Sequence, residues 1–143
     1  MTGRMLNAAL LDSNVVIDLT GPSSEGSAWS ETAVAELRAS GQIYINPIVY
    51  AEVSVGFPSI EYFEADLHRL RIQFDRLPRA ALFLAGRQYQ KYRRENQGPK
   101  TSLLPDFLIG AHATVLDIPL VTRDVRRYRT YFPRLTLISP DVV

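Results

Sequence analysis

The chain has no cysteine, only two lysines and two histidines, and no apolar run long enough to cross a bilayer. Without cysteine there is neither a disulfide scaffold nor a thiolate metal centre, and the composition fits a reducing compartment. The histidines, His68 and His112, have neither the spacing nor the company of a zinc site. His68 reads as a solvated helix residue and His112 as a packed one. The stretch "MTGRMLNAALLDS" carries one arginine and a short apolar run that stops at an acid, too short for a signal-peptide core or a span. The expectation is a soluble, cytoplasmic protein without a membrane partner. At 143 residues and 46% hydrophobic, residues 1–143 have the size of one domain that can bury a core unaided.

Scarce lysine leaves the positive charge to arginine, fourteen against two, although the net charge is only +1. The arginines concentrate in "GRQYQKYRRENQGPK" and "TRDVRRYRTYFPR". A guanidinium offers a planar fork for phosphates and a face that stacks on bases, whereas basic stretches are also ordinary solvated faces. Charge alone leaves both readings open.

Strand and helix signals alternate along the chain. "AALLD" (8–12) is a short, continuously apolar run of the kind a doubly covered parallel strand shows. "SNVVIDL" follows, then a Gly-Pro-Ser-Ser break, then "SAWSETAVAELRAS" (27–40), with Trp29, Ala33, Val34 and Leu37 at helical spacing and Gly41 at its end. "QIYIN" (42–46) reads as a strand, and Pro47 opens the helix "PIVYAEVSVGF". The spacing predicts helices over 59–72 and 79–96, a loop "QGPKTSLL", a proline-opened helix "PDFLIGAHATVLD", and strands "PLVT" (119–122) and "RLTLIS" (134–139). This order argues for a single α/β domain: a mainly parallel sheet of four to five strands, flanked by helices on both sides.

Ligands of such sheets bind beyond the carboxyl ends of the strands. Asp12 ends the first strand, Asp124 lies two residues past "PLVT", Glu52 falls in the second turn of the helix after "IYIN", and Asp106 sits in the first turn of its own helix. Each has a plain structural explanation: Asp12 and Asp124 as caps, Glu52 as a solvated residue, and Asp106 as an acid favoured by the helix dipole. Together they weigh differently. Two carboxylates ~5 Å apart repel by roughly 3 kcal/mol at an effective dielectric of 20, and a domain is stable by only ~5–15 kcal/mol. A gathering of four therefore calls for a cation or for shifted protonation. An all-oxygen set selects a hard ion, Mg²⁺ or Mn²⁺.

The stretches "LLDSNVVID", "INPIVYAEV", "LLPDFLIGAHATVLDIPLVTRD" and "YFPRLTLISP" resemble the PIN-domain ribonucleases, in particular the VapC toxins of prokaryotic toxin–antitoxin pairs, over essentially the whole chain. The resemblance implies that Asp12, Glu52, Asp106 and Asp124 form a metal-holding acidic quartet, with Ser13, Asn14 and Thr122 as supporting polar residues. It implies an endoribonuclease that hydrolyses phosphodiesters with a metal-activated water, leaving 5′-phosphate and 3′-hydroxyl ends. Some members carry a further acid just after the last aspartate. Here that stretch is "VRRY", so one tightly held ion, with a second recruited by the RNA phosphate, is as tenable as a fixed pair.

Arg87, Lys91 and Arg94 fall on one helix face with Tyr89, Tyr92 and Arg93 alongside; with Lys100 and Arg123 they are the candidates for RNA contact. "RRYRTYF" is a second candidate, although Tyr128, Tyr131 and Phe132 read better as anchors of the last strand. The resemblance also implies a homodimer and a cognate antitoxin. The helices holding "VVIDL" and "VAELRAS" are where such a partner is expected, with Trp29 and Val34 as test positions. Two other classes stand beside this one. A phospho-receiver lacks its paired acids and late lysine here, since neither Lys91 nor Lys100 follows a strand. A silent PIN-like scaffold that only binds RNA or protein, or a housekeeping nuclease of the same fold, remains open.

Overall fold

The computed structural model describes residues 7–96 and 103–140. Five strands form one wholly parallel sheet: β1 (Ala8–Leu11), β2 (Gln42–Ile45), β3 (Ile72–Phe74), β4 (Leu120–Val121) and β5 (Leu137–Ile138), in the order β3-β2-β1-β4-β5. The central β1 is buried at all four positions, which is why its sequence shows no alternation. Ala9 pairs with Ile43 on one side and Leu10 with Leu120 on the other. The chain thus leaves β1 toward opposite edges of the sheet, and the crevice at this reversal opens at the carboxyl ends.

Six helices cover the sheet: α1 (Ser13–Thr20), α2 (Glu25–Ser40), α3 (Pro47–Ser54), α4 (Ile60–Arg69), α5 (Arg79–Glu95) and α6 (Leu104–Leu116). Local chemistry starts most of them. Asn46 caps α3, its Oδ1 accepting from the amides of Ile48 and Val49 at 3.0 and 2.9 Å, with Pro47 at the first helical position. Ser59 caps α4. Ser24 and Ser27 exchange bonds at the start of α2, which therefore begins two residues ahead of the expected Ser27.

The sequence spacing carried the helix to residue 72, but α4 stops at Arg69. Leu70 caps it, Arg71 takes a left-handed φ of 57°, and Ile72 opens β3. Only Ile72 of that strand is buried, so three residues at the sheet edge gave no pattern strong enough to break the helical one.

α6 is buried through Phe107, Ile109, Gly110, Ala111, His112 and Ala113, the signature of a helix covered on nearly every side. It packs along α5 and α3. Phe107 gathers Tyr89, Tyr92, Tyr131 and Phe132 with ring centroids 5.3–5.9 Å away, burying large apolar rings in preferred tilted geometries. Gly110 makes this packing possible, since a Cβ there would lie 2.7 Å from the Phe132 ring and 3.0 Å from Tyr128. Val34, a test position for a partner, is fully buried in the core, because the inner face of α2 has one apolar stripe and the sheet takes it. Ile17 of α1 is instead the exposed large apolar residue among the described residues of this pair of helices, at 51%. Among the described residues no helix is long and apolar enough to cross a membrane.

Candidate active site

The end of β1 delivers Asp12 into the crevice, 1% exposed. Its Oδ1 accepts from the Ser13 amide at 2.7 Å, the capping bond anticipated for a lone aspartate. Its Oδ2 accepts from the Thr122 hydroxyl at 2.7 Å and the Tyr128 phenol at 2.8 Å. Three donors from three chain segments thus converge on one carboxylate, and a carboxylate has about four acceptor positions. Burial and the Asp12 charge push the Tyr128 phenol well above the ordinary tyrosine range, so it stays a neutral donor.

Thr122 distributes the arrangement further. Its Oγ1 accepts from the Asp124 amide at 3.0 Å and lies 3.4 Å from Asn14 Nδ2, while Asn14 Oδ1 accepts from the Arg123 amide at 3.1 Å. Asn14 and Thr122 therefore shape the turn after β4 that presents Asp124. Ser13, at the start of α1, donates to Glu52 Oε1 at 2.5 Å, tying α3 to α1.

Asp106 accepts from the Leu103 amide at 3.3 Å, the helix-start role, and its side chain is 13% exposed. Burial first, then the charges of Asp12 and Glu52, raise its carboxyl above the usual value, against the lowering by the Leu103 amide and Arg127. Three expected carboxylates thus share one electrostatic neighbourhood.

Arg127, in the 3-10 turn Val125–Arg127, was expected only as part of "RRYRTYF", the second candidate for RNA contact, and not as a neighbour of the acids. Its Nε lies 2.9 Å from Asp124 Oδ2 and its Nη1 3.6 Å from Asp106 Oδ1. As arranged, no three acidic or histidine side chains among the described residues stand close enough together to hold one ion. The donor chemistry still suits a hard cation: the set is all oxygen, and it carries the mutual repulsion that raises Asp106. Asp106 would have to leave Arg127 to join it. The spacing of Asp124 and Arg127, three apart in a tight turn, was the available sequence signal for this pair.

Arg123, grouped by sequence with the RNA contacts, points elsewhere. Its guanidinium forks onto buried Asp18 at 2.7 and 3.2 Å, and Ser30 donates to the same Asp18 oxygen at 2.6 Å. Arg87, Lys91, Arg93 and Arg94 are exposed on α5. Arg87 covers the Phe83 ring at 4.7 Å and Arg93 the Tyr89 ring at 5.9 Å. Gly86, Tyr89, Gln90, Arg93 and Arg94 line an open groove of about 420 Å³. Tyr92 does not join them, being 4% exposed against Phe107. Lys100 lies outside the described residues.

Behind the crevice, His112 bridges Asn46 and Asp75. Asn46 Oδ1 is used in capping α3, so its amide Nδ2 donates to His112 Nδ1 at 3.3 Å, which leaves Nε2–H to donate to Asp75 Oδ2, also at 3.3 Å. This fixes a neutral imidazole, and burial pushes its pKa down against the pull of Asp75. His112 is the packed helix residue that its sequence context suggested.

Comparison with solved structures finds the same fold in proteins of toxin–antitoxin assemblies. It superposes on VapBC2 from Rickettsia felis bound to a promoter DNA fragment with a TM-score of 0.68 and 20% identity, covering 92% of this chain and 98% of that one. VapBC-1 from nontypeable Haemophilus influenzae gives 0.66 and 19%, over 92% and 97%. A toxin–antitoxin complex from Klebsiella pneumoniae gives 0.61 and 24%, over 94% and 99%. At these identities the likeness is one of fold. No curated protein matches the sequence. The PIN domain model matches residues 9–133, from the strand that carries Asp12 past the turn that carries Asp124, and the chain belongs to the PIN-domain family.

Proposed function

We propose that this chain is a Mg²⁺- or Mn²⁺-dependent endoribonuclease of VapC type, the toxin of a toxin–antitoxin pair. One observation carries the reading: at the strand ends of a PIN fold the Ser13 amide, Thr122 and Tyr128 converge on buried Asp12 while the Ser13 hydroxyl holds Glu52. When bound there, a divalent ion supplies Lewis acidity, making a water more acidic and neutralising charge on the phosphate. Asp12, Asp106 and Asp124 would hold it directly or through water, and Glu52 would be a ligand or the group that positions the attacking water.

The chain's own residues do the rest. Thr122, Tyr128 and the Ser13 amide fix both oxygens of Asp12, so its orientation is set before substrate arrives. Ser13 holds Glu52 by Oε1, which leaves Oε2 to accept a proton. The exposed basic face of α5, with the groove lined by Arg93 and Arg94, suits an RNA backbone. Pairing with an antitoxin is supported by the toxin–antitoxin assemblies that share the fold, whereas a homodimer rests on the family resemblance alone. Ile17 is the residue to probe for the antitoxin in place of buried Val34.

The span of Arg127 across Asp106 and Asp124 favours a second reading, a silent scaffold that binds RNA without cutting it. The two separate on one experiment. Purified protein and Asp106→Asn are incubated with structured and single-stranded RNA in Mg²⁺, Mn²⁺ or EDTA. Cutting that needs metal, leaves 5′-phosphate ends and is lost in Asp106→Asn supports the nuclease. A 2′,3′-cyclic phosphate product, or no cutting by folded wild type, overturns it.

A further inference from the structure

The feature that the nuclease reading does not absorb is Arg127. The position just past the last aspartate holds a cation, and its guanidinium is nearly as close to Asp124 as a salt bridge allows, 2.9 Å, while its hold on Asp106 is looser, 3.6 Å. The side chain is 45% exposed and Asp124 38%, so this end of the cluster faces the entrance, whereas Asp106 at 13% faces inward.

The two contacts divide the carboxylates. Asp106 lies at the inner end, and its 3.6 Å contact with Arg127 is the looser of the two, the one an incoming ion would displace. Asp124 keeps the tight contact. One divalent ion at the inner end and one guanidinium at the outer end then neutralise three of the four negative charges, leaving the remainder to be met by donors such as Thr122, Tyr128 and Ser13.

Resting on the proposed nuclease reading, we propose that Arg127 takes the place of a second metal ion, so that this site binds one divalent cation per chain. During hydrolysis water adds to phosphorus, the P–O3′ bond breaks and the leaving oxygen is protonated by solvent. Arg127 contributes a fixed positive charge beside Asp124, in the planar, always protonated form that suits a phosphate oxygen.

The test counts ions rather than turnover. Mn²⁺ binding is followed by loss of the free-ion electron paramagnetic resonance signal in wild type, Arg127→Lys, Arg127→Gln, Arg127→Glu and Asp106→Asn, with circular dichroism confirming the fold. Wild type and Arg127→Lys are expected to bind one Mn²⁺. Arg127→Glu is expected to bind two, and Arg127→Gln to bind its first ion about twofold to fivefold more tightly, the scale of removing a partly exposed competing ion pair. If Arg127→Glu does not fold, the Arg127→Gln affinity decides alone. Two ions in wild type, or unchanged stoichiometry and affinity in both charge-removing variants while Asp106→Asn loses the ion, overturns the assignment of Arg127 only. Mn²⁺ binding that survives Asp106→Asn intact removes the acidic site, and the assignment with it.

Discussion

The phenol of Tyr128 donates to Asp12 Oδ2 at 2.8 Å across 116 residues of sequence, beside the Thr122 hydroxyl on the same oxygen. The aromatic ring sits in the core under α6, and only its hydroxyl reaches the crevice. Tyr128→Phe keeps the ring and removes the donor. Stability should fall by about 1.5–3 kcal/mol, the net worth of a buried bond to a carboxylate. RNA cleavage should fall on the order of 10-fold, because a neighbour that orients a ligand is lost. Denaturant melts and cleavage rates on the same preparation check both.

Gly110→Ala should be costly although alanine is the better helix former. Its Cβ would meet the Phe132 ring at 2.7 Å, inside a core with no room to yield. Overpacking of this kind costs about 1–3 kcal/mol. An unchanged melting temperature would show that Phe132 and Tyr128 repack freely, and would weaken the account of how Tyr128 is held.

Arg123→Met is expected to act through stability before it acts through RNA. It strands the Asp18 carboxylate, which is 8% exposed, with the Ser30 hydroxyl still donating to it. The loss should be about 1.5–3 kcal/mol, and Asp18→Asn should be milder because no charge is left buried. Arg93→Ala should do the reverse, leaving the melt unchanged and weakening RNA binding with a shallower salt dependence.

His112 predicts an acid limb. Burial holds its folded pKa below the ordinary 6.5, so the unfolded chain takes up this proton more readily. Stability from this group is therefore complete above about pH 6.5 and declines as pH falls from there toward the lower folded value. His112→Gln should lower stability at neutral pH and lose that limb. Melts from pH 5 to 8, with and without the substitution, measure the difference.

The legible part of the site was the part written in local chemistry. Asp12, Glu52, Asp106 and Asp124 each sit one or a few residues from a strand end or helix start, so alternation of apolar runs and breaks placed them at one edge. Asn46 was legible too: an acceptor before Pro47 is a helix-start signal, although the proline alone drew the reading. Arg123 and Val34 were misjudged for one reason: composition says that an arginine can bind phosphate and a valine a partner, but not whether Asp18 or the core already holds it.

The sequence by itself determined the parallel α/β order and the positions of four acids, because apolar period, proline and caps act within a few residues. The tertiary structure decided what each acid faces. Tyr128 reaches Asp12, Ser13 reaches Glu52 and Arg127 reaches inward to Asp106 only because the strand order reverses at β1 and Gly110 admits two rings beneath α6. Such contacts join residues tens of positions apart, and no periodicity along the chain encodes them.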